Sequence, residues 1–355
     1  MASGGVFSYA GINARVRGMV SALLGSQEWS ELIKASDFNS LIGLLRRTRY
    51  GPYLLRVEDK DLTPRRAVYQ IKSHMTDVFL ILLRTAPKVT HPLLTLLYRN
   101  YEVENLKAVL RGIVSRSPWE RVRDVLFPLN SLSNLPAQAM VETGNVEEAV
   151  ELLRGSPYYT TLSHALTRFT SEQSLFPLEV ALDLSYWREV WASINQLPKL
   201  DREHALTIVG SLLDMNNLMW AIRYRVYYNL SEEELINYTL PFGYQLQDAD
   251  VRAIAAGADI PQVALHVYPR LVELDEYLRV PREGLPLLEI QLQRAVAEQC
   301  RKAFIGYPFH IGVPLAFLTL KRMEIQDLTV LIEVKSSHTP IDDYRRFLLL
   351  GYAAK

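Results

Sequence analysis

Glu102-Val103-x-Asn105-Leu106-x-x-Val109-Leu110 reappears twice downstream, as Asp214-Met215-x-Asn217-Leu218-x-x-Ala221-Ile222 and as Glu324-Ile325-x-Asp327-Leu328-x-x-Leu331-Ile332. The leucines at 106, 218 and 328 are 112 and then 110 residues apart. Each copy has an acid, an apolar residue, an amide or carboxylate, Leu, and an apolar pair three and four residues on. Arg111 and Arg223 follow the first two copies, and Glu333 follows the third. A fixed long period means one structural unit used three times. Three units imply a roughly threefold body, a shape that suits an adaptor better than an enzyme. Within a copy, Val103, Leu106 and Leu110 stand at i, i+3 and i+7, the stripe of a helix facing a core. Glu102 and Asn105 run along the edge of that stripe, where a carboxylate and an amide satisfy backbone groups of a neighbouring helix end. Three equivalent contacts to a partner are the alternative use of the same residues.

Two further pieces recur ahead of each signature. The first is a short capped helix: Asp37 opens one copy, and Asn145-x-x-Glu148 and Asp259-x-x-Gln262 read as capping boxes for the other two. The second is a longer helix entered through proline, at Pro64, Pro177 and Pro286. Glu179 and Glu289 in these helices repeat the 110-residue offset. The chain before the repeats reads as one amphipathic helix, with Val6, Tyr9, Ile12, Val16, Met19 and Leu23 in phase and Gly25 closing it. Strand signals are weak throughout, which predicts an all-α fold. The predicted division is an N-terminal helix (1–29) and three helical repeats (30–135, 136–245 and 246–355).

With 355 residues, 49% of them hydrophobic, the chain is long enough for a large core. Its longest apolar runs, such as Val78 to Leu83, fall far short of the roughly 18 residues of a membrane span, and one cysteine fits a reducing compartment. These features predict a soluble cytoplasmic protein. Net charge is zero, but residues 1–125 hold 19 Lys+Arg against 11 Asp+Glu, and the acidic excess lies beyond them. Arg46, Arg47, Arg49 and Arg56 form the densest basic patch. Such a patch is either a solvated helix face or a surface for an acidic partner or anionic lipid. Nucleic acid is disfavoured, because no stacking motif or overall basic excess accompanies it.

Catalytic signatures are missing from the sequence. It contains no GxxxxGK[ST] to cradle phosphate, and no GxSxG, HExxH or CxxC. His338 and Asp342 are four apart, but Pro340 intervenes and no third ligand is near, so a solvated helix start is expected. Asp248-Ala249-Asp250 lacks the spacing of a calcium loop and reads as a polar loop, and Cys300 reads as packing. No catalytic residue, metal site or cofactor is expected.

The opening Tyr9-Ala10-x-Ile12-Asn13-Ala14-Arg15-Val16-Arg17-Gly18-Met19 resembles the start of the C subunit of A/V-type ATPases, the prokaryotic relative of the eukaryotic d subunit. Pro314-Leu315-Ala316-Phe317-Leu318-x-x-Lys321-x-x-Glu324-Ile325-x-x-Leu328 resembles the third repeat of that family, and the two Asn-Leu signatures resemble its first and second. Asp327 and Ile332-Glu333-Val334 depart from it, where the family usually has Asn and a basic run. The resemblance spans essentially the whole chain. It implies three similar helical domains around a pseudo-threefold axis, forming a funnel. It also implies a non-catalytic rotor component on the cytoplasmic face of the membrane. There the proteolipid ring would lie below, and the central stalk would enter the socket and pass torque through it. The rival is a free-standing helical-repeat scaffold that binds a peptide or protein, but its repeats normally run to about 34 to 47 residues.

Overall fold

The computed structural model describes residues 3–129 and 133–353, and every regular element among them is helical. A short, a long and a signature helix follow one another in each third of the chain, with further helices between them, among them Gly51–Leu54, Tyr159–Glu172 and Leu274–Arg279, where short turns are expected. The short helices are Phe38–Leu45, Val146–Glu151 and Ile260–Val267. The long ones are Pro64–Thr85, Phe176–Asn195 and Pro281–Lys302. The signature helices are His91–Val114, Ser211–Val226 and Gly312–Ser336. By contacts the chain forms two compact units. One comprises residues 1–45, 85–90 and 194–355, with the second and third signatures. The other comprises 46–84 and 91–193, with the first.

Leu106, Leu218 and Leu328 are all completely buried, as are Leu110, Ile222 and Ile332 around them. The i, i+3, i+7 stripe therefore lies where its periodicity places it, and a carbon-rich face that size is removed from water only inside a core. The second signature helix continues an upstream one, Lys199–Ala205, through a π-helical turn, Leu206–Gly210. Lys199–Val226 is thus one 28-residue helix, long and apolar enough to cross a membrane, yet 78% of its most apolar stretch is buried within the protein. It packs as a core helix, and its length comes from joining two segments that look separate in the sequence.

Several local expectations change. The first helix ends at Val20, not at Gly25, which instead caps the next helix, Ser26–Lys34. Two carboxylates draw the chain out of helical register there: Glu324 Oε2 accepts from Leu24 N at 2.7 Å and Glu28 Oε2 from Gly25 N at 2.7 Å. Tyr9, Ile12 and Val16 are buried as predicted, while Met19 and Leu23 are half-buried and the Val6 side chain lies outside those described. Asp37 and Asn145 cap their helices, with Ser40 N donating at 2.8 Å and Glu148 N at 3.0 Å. Asp259 makes no side-chain cap, and Pro261 stands in the first turn of its helix. The third long helix starts at Pro281, a turn and a half before Pro286. Gly284 permits that start: a Cβ there would lie 2.1 Å from the Tyr277 carbonyl oxygen. Asp248 and Asp250 form the first turn of a helix, Asp248–Ala255, and not a loop; Asp250 Oδ2 accepts from Gln247 N at 2.8 Å.

Candidate functional site: the three signatures and the arginine patch

The third signature position holds downstream backbone in every copy. Asn105 Nδ2 donates to Phe127 O at 2.9 Å while its Oδ1 accepts from Phe127 N at 2.7 Å. Asn217 does likewise with Leu240, at 2.8 Å in both directions. Each amide thus saturates both backbone groups of one buried residue 22 or 23 positions downstream. Asp327 has no donor and meets a different backbone. Its oxygens accept from Leu349 N at 2.6 Å, Leu350 N at 2.7 Å and Gly351 N at 3.0 Å, where the chain enters a 3₁₀ turn, Gly351–Ala353. Arg294 takes the carbonyls of the same stretch, Arg346 O at 2.8 Å and Leu348 O at 2.6 Å, and its guanidinium lies 4.0 Å over the Tyr352 ring. Burial drives the Asp327 carboxyl up to about 6, although the three N–H groups pull the other way. The expectation of polar edge residues holding backbone is met, but the targets are turns after the signature helix and not helix ends.

The acidic first position is used differently each time. Glu102 accepts the hydroxyl of Tyr158, whose phenol burial and that carboxylate both raise. Asp214 accepts from Tyr244 N at 2.8 Å and Gln245 N at 2.7 Å, and burial lifts its carboxyl to about 6. Gly243 makes room, since a Cβ there would fall 2.4 Å from Asp214 Oδ1. Glu324 pairs with Lys321 at 2.7 Å, with side chains only 1% and 2% exposed. An ion pair that deep survives because hydrogen bonds take up its remaining valence, here the Leu24 N–H.

One set of contacts was not anticipated. Arg111 holds Glu179 through Nε at 2.6 Å and Nη2 at 2.8 Å, and Arg223 Nη2 holds Glu289 at 2.6 Å. Each pair ties a signature helix to the long helix of the next repeat. The signal was present in the sequence: the two arginines and the two glutamates recur at almost the same offset, so their separation, 68 and then 66 residues, is itself a repeat. Lys107 joins the first pair's surroundings, at 2.7 Å from Glu104 and 2.9 Å from Asp183. Glu333, at the corresponding third position, is exposed.

The four arginines flank a short helix, Gly51–Leu54, and are not equivalent. Arg46 is paired with Asp59, whose carboxyl it holds below the ordinary range. Arg56 lies 3.9 Å from Asp77 and 4.4 Å over the Tyr53 ring, with Tyr53 Oη donating to Asp77 at 2.7 Å. Arg47 and Arg49 are exposed.

Among the described residues no group of three His, Cys, Asp or Glu side chains is placed to hold a metal. Cys300 is buried and its thiol is pushed up to about 12, so it is packed and unreactive. His204 and His310 stack at 3.4 Å, and burial, helped by the neighbouring ring, lowers His310 to about 4. A cleft of about 510 Å³ opens beside Tyr268, Arg294 and Tyr352, but Arg294 is already engaged by backbone.

The sequence pattern of a family described as ATP synthase (C/AC39) subunit matches residues 12–347. Among curated proteins the chain is similar to the C subunit of the A-type ATP synthase of Methanocaldococcus jannaschii, at 24% identity over 96% of this chain and 86% of that protein. It is similar to the C subunit of Pyrococcus abyssi at 23% identity, over 92% and 86% of the two chains. With that of Archaeoglobus fulgidus it shares 21% identity over 97% and 96%.

Proposed function

Because the chain belongs to the ATP synthase (C/AC39) subunit family, we propose that it is the non-catalytic rotor component of an A/V-type ATPase or ATP synthase. In this reading it is a socket on the cytoplasmic face of the membrane that joins the central stalk to the proteolipid ring. An N-terminal helix (1–29) and three similar helical domains (30–135, 136–245 and 246–355) would surround a pseudo-threefold axis as a funnel. The observation that carries the reading is the near end-to-end correspondence with relatives named as the C subunit of an A-type ATP synthase. The physical task fits the local structure. A part that transmits torque must not yield, and here each signature helix is stapled to a downstream turn by buried bonds to backbone. The sequence has no loop to cradle phosphate, so ATP chemistry belongs to other subunits.

Purification of a tagged chain from native membranes tests this. Central-stalk and proteolipid subunits should accompany it, and a chain that purifies alone would overturn the reading. Calorimetric titration of the isolated chain with Mg-ATP should show no binding; measurable turnover would overturn its non-catalytic half.

A further inference from the structure

Three segments of the larger compact unit meet. Asp201 Oδ1 accepts from Ile311 N at 2.9 Å, tying the start of Lys199–Val226 to the turn before the third signature helix. Asn13 Nδ2 donates to Pro308 O at 2.6 Å, bringing the first helix, Ser3–Val20, against the same turn. Each segment exposes a large apolar side chain: Phe7 is 83% exposed, Ile305 80%, Tyr307 50% and Leu200 43%. Ile305 and Tyr307 flank Gly306, whose φ of +91° produces a tight turn that lifts both side chains outward. Scattered exposed aliphatics are ordinary. Four on adjoining segments, two of them at least four-fifths exposed, are a patch.

Cations stand directly beside the patch. Lys199 adjoins Leu200, and Arg301 and Lys302 precede Ile305; all three are exposed. Residues 3–27, 195–200 and 299–311 contain no carboxylate. The acids that adjoin these segments in sequence are Asp201, buried against Ile311 N, and exposed Glu28, Glu203 and Glu298, the last 3.7 Å from Arg270. The turn 85–90 belongs to the same unit and has the same make-up, exposed Lys88 beside Val89. The patch is a set of pegs on turns and a helix, with cations around them. A bilayer surface fits such a shape: aliphatic tips reach the acyl boundary, Tyr307 sits at headgroup level, and lysines extend to phosphate. An anionic leaflet adds attraction to the cations.

We propose that this surface of the larger unit, with Phe7, Leu200, Ile305 and Tyr307 as pegs and Lys199, Arg301 and Lys302 around them, docks directly on an anionic lipid bilayer. This goes beyond the rotor reading and does not depend on it, since the contact is with lipid and needs no other protein.

Flotation of the full chain with vesicles tests it, using neutral phosphatidylcholine and the same lipid with about one-third phosphatidylglycerol. The wild type should float with the anionic vesicles, less so in about 0.5 M salt. Leu200→Ser/Ile305→Ser/Tyr307→Ser and Lys199→Glu/Arg301→Glu/Lys302→Glu should each bind about tenfold more weakly. These positions are surface-exposed, so both variants should keep the wild-type circular dichroism and Tm. Absence of vesicle binding by the wild type, or undiminished binding by the apolar variant, overturns the proposal. So does a patch variant that keeps vesicle binding but loses purified proteolipid ring, which would make the surface a protein interface. The co-purification test above has a separate outcome, so either reading can fail alone.

Discussion

Asn217 and Leu240 exchange two hydrogen bonds, the side-chain amide taking the place of a strand partner for a residue that has none. The bonds are 2.8 Å each, and both residues are almost wholly buried. Leu240 lies outside any helix and precedes Pro241, and the residue before a proline favours extended backbone. Asn217→Leu should therefore leave a buried N–H and C=O unpaired, at a cost of about 3 kcal/mol. Urea unfolding measures it, and a loss under about 1 kcal/mol would mean that water replaces the amide.

Asp327 should make stability depend on pH. Its carboxyl lies at about 6 in the folded protein against an ordinary 3.8, so between those values the native state holds more protons than the unfolded one. The stability it confers is complete below that window and is lost as pH rises through 6. Asp214 contributes with the same sign. His310, lowered from 6.5 to about 4, contributes the opposite: stability falls as pH drops through its window. Asp327→Asn removes one falling component. The stability gap between wild type and variant should then move by about 2 kcal/mol, in the variant's favour, from pH 4 to pH 7. Urea titrations at both values check it; a constant gap would show that Asp327 does not titrate in this range.

The Arg223–Glu289 pair is about one-third exposed on both sides, so either single reversal should cost only about 1 kcal/mol. The double reversal Arg223→Glu/Glu289→Arg should recover most of that loss. A thermodynamic cycle with no coupling between the two sites would reduce the pair to coincidence of position.

Leu218→Ala empties a fully buried site and should cost about 2–5 kcal/mol, with Leu106→Ala and Leu328→Ala in the same range. Thermal unfolding of the three variants checks this. A near-neutral result at one position would show that its repeat relaxes around the cavity.

The arginine patch should act through its exposed members more than through Arg46, which is half-buried against Asp59. Arg47→Glu/Arg49→Glu should weaken reassembly of the proposed complex, most at low salt where screening is least. Unchanged reassembly at low salt would leave the patch as solvated surface.

Helix content, the buried leucines and the order short–long–signature were legible in the sequence, because they follow from a 3.6-residue period and from groups a few residues apart. The caps at Asp37 and Asn145 were legible for the same reason. At two of the places where sequence reading failed, another stretch of chain had intervened. Glu324 takes the amide that would have continued the first helix, and the Tyr277 backbone accommodates a helix start that Pro286 does not announce. The partners of Asn105, Asn217 and Asp327 lie 22 to 24 residues away, and those of Arg111 and Arg223 lie 68 and 66 away. The sequence alone determined that polar groups would stand beside each core stripe. Only the tertiary structure decided which backbone each one holds, because a buried hydrogen bond is set by where the chain returns in space.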